Sequence, residues 1–384
     1  MIVPVFLPHL GCRQKCIYCN QHHITGESGN QDIQAIRGTI RKALNPVKVR
    51  TEVAIYGGNP FGLGSDGLAR LFSLFAEHRE KITSMRLSTE PIIPDVQTIR
   101  ILRDYNVTTV ELGMPVFSDE KLRALGRHHT IKDLYDTREA LIKAGITVGL
   151  QVMVGLPGET AHDIRSTVQH VIRLKPAFIR IYPLVVLRDT LLHEAFQENH
   201  FSPLSLGEAV LRALYIYLHA ETHAIKIIRM GLTENEFLKS EIVAGPYHPA
   251  FGYLVRSEAF YLAVLKVCKQ HGLSGAVTVL LSKKDVPHLT GYRRSNLKRL
   301  EQQGLDVGWR ESDLPSGEFL ICAPGKIADA DFHSREDRGG SEEPHPHAGT
   351  RAYLGVRQRK RHSDNEGIRV KGDWHQDAIS MLPF

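Results

Sequence analysis

Several features are scarce in this chain of 384 residues. It has no run of about 18 apolar residues, so no membrane-spanning helix is expected. Charge of one sign is nearly absent as an excess. Lys and Arg number 48 against 42 Asp and Glu, and a net +6 over this length is a thin pointer to nucleic acid. Cysteines are few, odd in number and unevenly spread, with five in all, which argues against a disulfide framework. With 42 % hydrophobic and 23 % charged residues, the chain is neither a disordered polyelectrolyte nor a collagen-like repeat. The opening run Ile2–Leu7 has no basic flank and no small-residue cleavage site, so it does not read as a leader, and a cytoplasmic location is expected.

Short apolar, β-branched runs alternate with segments of helical spacing. The runs are Ile2–Leu7, Val53–Tyr56, Met85–Ser88, Thr108–Leu112, Thr147–Val154 and Phe178–Tyr182. Between them lie helical patterns at Ile33–Leu44, Leu68–His78, Val96–Asp104, Ile131–Ala144 and Ala161–Leu174. Six strand–helix units imply a parallel α/β sheet covered by helices. Gly57-Gly58-Asn59-Pro60 and Gly155-Leu156-Pro157-Gly158 follow strands directly, where α/β folds bind ligands. The expected architecture is a partial (β/α)6 TIM-like barrel over residues 1–232. It includes a helix at Leu206–Ala220 and a strand-like run Lys226–Met230.

Three of the five cysteines sit within eight residues: Cys12, Cys16 and Cys19. The loop after the first strand carries them. Three thiolates can hold a four-iron cluster and leave one iron open for a small chelating ligand, where electron-storage clusters use four cysteines. The alternative is a structural zinc site completed by His22 or His23, since zinc takes four ligands. Cys268 and Cys322 stand apart and read as buried thiols.

With the spacing Cys-x3-Cys-x2-Cys, an aromatic Tyr18 before the last cysteine and a barrel pattern around them, the chain resembles the radical S-adenosylmethionine superfamily. The order of further motifs resembles its Elongator subunit 3-like branch, with kinship to oxygen-independent coproporphyrinogen oxidases. These motifs are Tyr56-Gly57-Gly58, Ser88-Thr89-Glu90-Pro91, Val110-Glu111-Leu112-Gly113, Gly126-Arg127-His128-His129-Thr130 and Gly149–Glu159. Arg180-Ile181-Tyr182-Pro183 and Ala244–Pro249 extend the match to about residue 325.

The resemblance implies a [4Fe-4S] cluster on Cys12, Cys16 and Cys19. It implies reductive cleavage of S-adenosylmethionine to a 5′-deoxyadenosyl radical, with electrons from a reductase or flavodoxin-type donor. It places Tyr18 near the adenine, Gly57, Gly58 and Asn59 at the methionine amino group, Arg127 at its carboxylate and Gln151 at the ribose. Read without the resemblance, the glycines mark a tight turn, Arg127 a surface helix end and Gln151 a satisfied core amide. No residue is assigned as a catalytic acid, base or nucleophile.

Three departures surround the same pocket. The family's acid after the double glycine is Asn59, its Ser-Thr-Arg-Pro cation is Glu90, and its glutamine after the fourth strand is Pro115. They motivate a rival reading, a haem- or cofactor-delivering chaperone that keeps the barrel and cluster.

Residues 233–325 read as a small α+β domain: helices at Tyr253–Gln270 and Ser295–Gln303, strands at Val277–Leu281 and Glu318–Ile321. Its loop Gly291-Tyr292-Arg293-Arg294 resembles the backbone-clamping loop of a KH module, with Arg294 where a second glycine belongs. That loop is the motive for possible tRNA or other nucleic-acid binding, and no membrane partner is expected. Residues 326–384 are polar and Gly-rich, contain His345, His347 and basic Arg357–Arg361, and are expected to be disordered. With only this polar tail following, an acetyltransferase domain is not expected after residue 325.

Overall fold

The structure is a computed structural model, and it describes residues 1–26, 32–233, 236–322, 367–370 and 374–384. The chain divides into two compact units, Met1–Lys266 with Asp373–Phe384, and Val267–Gly372.

The first unit is built on strands β1 (Ile2–Phe6), β2 (Thr51–Tyr56), β3 (Ile82–Thr89), β4 (Val107–Gly113), β5 (Thr147–Val154), β6 (Phe178–Pro183), β7 (Val186–Leu187), β8 (Lys226–Met230) and β9 (Ile242–Ala244). Seven of them form one parallel sheet in the order β1-β2-β3-β4-β5-β6-β8, so the chain steps from one edge to the other with a crossover between most neighbours. Side chains from β1, β2, β3, β5, β6 and β8 line a single cavity. A flat sheet cannot do that, so the sheet curls into a partial barrel open between β1 and β8. The small β7–β9 pair is antiparallel.

The helices of this unit are α1 (Gln21–Thr25), α2 (Ile33–Leu44), α3 (Gly64–Ser73), α4 (Val96–Asp104), α5 (Asp119–Ala124), α6 (Ile131–Lys143), α7 (Ala161–Leu174), α8 (Leu191–Gln197), α9 (Leu206–Thr222), α10 (Glu236–Glu241) and α11 (Phe251–Gln270). Their starts are written in the sequence. Thr130 with Asp133, Thr160 with Asp163 and Ser205 with Glu208 form reciprocal capping boxes on α6, α7 and α9. The apolar stripes face inward: Ile36, Ile40 and Leu44 of α2 are buried, as are Ile164, Val168 and Val171 of α7. No described helix is long and apolar enough to cross a membrane.

The second unit contains β10 (Gly275–Leu281), α12 (Val286–Thr290), α13 (Ser295–Gln302), β11 (Leu305–Glu311), β12 (Phe319–Cys322) and β13 (Ile368–Val370), with a four-stranded sheet in the order β11-β10-β12-β13. A last helix, α14 (Trp374–Ile379), belongs to the first unit.

Several expectations are corrected. The helix expected over Leu68–His78 stops at Ser73 and is followed by a tighter 3-10 turn over Ala76–Lys81. The division between units falls after Lys266 rather than after residue 232. The tail expected to be disordered holds ordered elements. Ile368–Val370 pairs antiparallel with β12, Ala378 and Leu382 are buried, and Phe384 packs 5.3 Å from Tyr215 of α9. Apolar residues close to the C-terminus, hidden by the average polarity of the segment, cause this. The readings of His345, His347 and Arg357–Arg361 lie outside the described residues.

Candidate functional site

The cysteine loop runs from the end of β1 to α1, and backbone contacts pin it on two sides. His9 N–H donates to Gly57 O at 2.7 Å and Asn59 N–H to Leu10 O at 2.7 Å, which ties it to the turn after β2. Ile17 N–H donates to Leu125 O at 3.2 Å and Leu192 N–H to Ile17 O at 2.8 Å, which ties it to the ends of α5 and α8. Gly58 is required by the first contact, since a Cβ there would lie 2.5 Å from Leu10 O. Gly57 has φ 91°, the left-handed region that favours glycine. The tight-turn reading and the site reading therefore coincide: the double glycine seats the loop that carries the cysteines.

Cys12, Cys16 and Cys19 all line the cavity, of about 540 Å³. Tyr18, Gly57, Gly58, Asn59, Arg127 and Gln151 line it too, so the three cysteines and the six expected cofactor contacts share one cavity. Burial, then the neighbouring Glu90 carboxylate and Cys16, push the Cys12 thiol up to about 11. Burial and Cys16 push Cys19 to about 12, against a 3.2 Å hydrogen bond from Gln21 Nε2. Thiols held protonated in this way release protons when a cationic iron centre takes them as thiolates. Among the described residues no three His, Cys, Asp or Glu side chains are gathered as a single-ion site would require.

Two of the departures noted above meet in one place. Asn59 is buried with 2 % exposure, and its amide is wholly spent on β3. Its Oδ1 accepts from Thr89 Oγ1 at 2.6 Å and from Glu90 N–H at 3.1 Å, while Nδ2 donates to Glu90 Oε2 at 3.2 Å. The Asn59 amide is thus committed to Glu90, and Glu90, itself on the cavity wall, carries the carboxylate. Arg127 reaches the same corner. Its Nε donates to Tyr18 Oη at 3.3 Å, its Nη1 donates to Gly113 O at 2.9 Å, and Nη1 stands 3.8 Å from Glu90 Oε1. The side chain is 13 % exposed, so it is an inward-facing arginine rather than a surface helix end. Pro115 is buried but contributes nothing to the cavity wall; its carbonyl accepts from Met153 N–H at 3.2 Å.

A second polar group holds three residues of the cavity wall, Tyr56, Gln151 and Arg180, and its acid was quoted from sequence in a motif without an assigned role. Glu111 of β4 is fully buried at 0 % exposure. It accepts from Arg180 Nε at 2.7 Å, Arg180 Nη2 at 3.1 Å, Tyr56 Oη at 2.8 Å and Gln151 Nε2 at 3.0 Å. Gln151 is therefore anchored by its amide N–H. The motifs quoted from sequence contain Tyr56, Glu111, Gln151 and Arg180, but nothing in the sequence signalled that the four meet.

The basic loop lies in the second unit. Arg293 and Arg294 adopt left-handed backbone at φ 52° and 61°. Their guanidinium groups lie 5.2 Å from the Tyr292 ring and 5.9 Å from the Trp309 ring.

The fold and the three-cysteine cavity define a partial-barrel protein with a cluster-type thiol site. Family comparison agrees: residues 6–171 match the radical SAM superfamily and residues 176–260 the radical SAM C-terminal domain. The chain belongs to the radical SAM superfamily, whose cofactors are a [4Fe-4S] cluster and S-adenosylmethionine. It is 28 % identical over 180 residues to the haem chaperone HemW of Lactococcus lactis, covering 46 % of this chain and 47 % of that one. It is 26 % identical over 183 residues to the tRNA uridine(34) acetyltransferase of Methanocaldococcus jannaschii, covering 47 % of this chain and 33 % of that one. The chain thus spans about half or less of the length of these curated relatives. Among solved structures, the Methanocaldococcus infernus Elp3 with an N-terminal deletion aligns at 19 % identity and a TM-score of 0.48, covering 71 % of this chain and 63 % of that one.

Proposed function

We propose that the chain is a radical S-adenosylmethionine enzyme in which Cys12, Cys16 and Cys19 hold the cluster and Glu90 and Arg127 receive the methionine end of the cofactor. The observation that carries this reading is the convergence of three thiols, the Glu90 carboxylate and the Arg127 guanidinium on a single cavity. An amino-acid zwitterion presents an ammonium and a carboxylate side by side. Glu90 and Arg127, 3.8 Å apart, form a loose pair of the complementary signs, and the Arg127 fork suits a carboxylate. Asn59 holds Glu90 in place, the Gln151 carbonyl oxygen is left to accept from a ribose hydroxyl, and the Tyr18 ring packs at the adenine. A bound cluster supplies the electron that breaks the sulfonium bond and yields the 5′-deoxyadenosyl radical. The chain's own part is to orient the cofactor and exclude water.

A reductase or flavodoxin-type donor in the cytoplasm would deliver the electron. An RNA base is the substrate class supported by the relatives named tRNA uridine(34) acetyltransferases and by the exposed Arg293–Arg294 loop. A HemW relative supports the delivery reading instead, in which the cofactor is bound and not cleaved.

Anaerobic reconstitution tests the binding half. Wild type takes up about four irons per chain, Cys16→Ala takes up far less, and S-adenosylmethionine shifts the paramagnetic signal of the reduced cluster. Iron uptake unchanged in Cys16→Ala, or a signal blind to S-adenosylmethionine, would defeat the assignment.

A further inference from the structure

The cavity wall formed by β6 and β8 carries two arginines, and neither strand supplies a carboxylate. Arg180 and Arg229 are register partners on these neighbouring strands, and both line the cavity. Arg180 is bound by Glu111 as described. Arg86 is bound by Glu52 through two hydrogen bonds of 2.8 and 3.0 Å. Arg86 Nη1 also stands 3.6 Å from Glu111 Oε1, so both of these carboxylates are engaged and Arg229 is left over. Its Nε donates to Gly231 O at 3.2 Å. Among the described residues no carboxylate pairs with its guanidinium, and its terminal nitrogens meet no acceptor. A half-buried guanidinium beside a second one is costly, because like charges repel more strongly as water is excluded. An incoming anion removes that cost. Phe6, Tyr182 and Leu184 line the same cavity, so an apolar or planar body is accommodated beside the charge.

We infer that Arg229 forms an anion subsite on the edge of the sheet away from the cysteines, which takes the carboxylate or phosphate group of a second, organic ligand. The inference rests on the reading of Cys12, Cys16, Cys19, Glu90 and Arg127 as the S-adenosylmethionine end, because that reading leaves the β6–β8 side for the substrate.

The test uses the full chain with its cluster reconstituted. Inorganic phosphate and benzoate are titrated calorimetrically into wild type, Arg229→Gln and Arg229→Lys, with S-adenosylmethionine titrated in parallel. Cluster absorbance confirms that each variant is folded and loaded. The expected result is binding of one or both anions that falls about tenfold or more in Arg229→Gln, is partly kept in Arg229→Lys, and is lost without loss of S-adenosylmethionine. Binding of benzoate alone assigns a carboxylate, and binding of phosphate alone a phosphate ester. If neither anion depends on Arg229, the subsite is overturned. If anion and S-adenosylmethionine are lost together, Arg229 belongs to the cysteine end and the separate subsite is overturned. Arg229-dependent anion binding in a wild type that takes no S-adenosylmethionine would sustain the subsite and sink the reading it rests on.

Discussion

Asn59 and Glu90 show how far single residues could be read. The cysteines were legible because thiol spacing is itself the chemistry. Asn59 and Glu90 each looked like a lost function, one acid gone and one cation reversed. They are 31 positions apart, and only the β2–β3 neighbourhood brings them together. The pair is then one hydrogen-bonded unit with its carboxylate on the cavity wall. Asn59→Ala would leave the Thr89 hydroxyl, the Glu90 N–H and the Glu90 carboxylate without their partner in a buried place. The expected loss is about 1–3 kcal/mol of stability, with weaker S-adenosylmethionine binding. Glu90→Gln is expected to weaken that binding about tenfold with a smaller change in melting temperature. Thermal melts and cofactor titrations on the two variants check this. Full cofactor affinity in Asn59→Ala would show that Glu90 needs no anchor.

At the scale of elements, long periodic segments were legible and short ones were not. α2, α4, α6, α7 and α9 bury continuous apolar stripes, whereas α5 spans Asp119–Ala124 and buries Leu122 alone. Six residues with one apolar anchor give no period to read. β11 was missed for a different reason. Its sequence Leu-Asp-Val-Gly-Trp-Arg-Glu buries Leu305 and Val307 and sends polar residues to solvent, as an edge strand can. The capping boxes were legible one by one and also carry a pH prediction. Burial opposes ionisation of Asp163, but hydrogen bonds from Lys121 and Thr160 outweigh it and hold the carboxyl below its ordinary value. A carboxyl lowered in the folded state contributes stability above its unfolded pKa of about 3.9, and the contribution fades as pH falls through the folded value. Asp163→Asn is therefore expected to cost about 0.5–2 kcal/mol at neutral pH, and the gap to wild type should close below about pH 4. Denaturant titrations at pH 7 and pH 3.5 check the sign. A gap that widens in acid would contradict it.

For the whole molecule, the parallel α/β partial barrel followed from the alternation of runs and helices. The end of the chain did not. Average composition hid the few apolar side chains that return to the first unit. Ala378 and Leu382 are buried, and Phe384 meets Tyr215. Removing residues 374–384 is expected to lower the melting temperature of the first unit by several degrees, because each buried apolar side chain contributes on the order of 1.5–3 kcal/mol. An unchanged melt would return the segment to the disordered reading.

The central claim is that the cavity cleaves its cofactor as well as holding it. The most direct measurement is 5′-deoxyadenosine formed when the reconstituted, dithionite-reduced chain is given S-adenosylmethionine without oxygen. The account predicts product from wild type and its loss in Cys16→Ala. No 5′-deoxyadenosine from a fully loaded wild type would contradict it and favour a protein that carries its cofactor without using it.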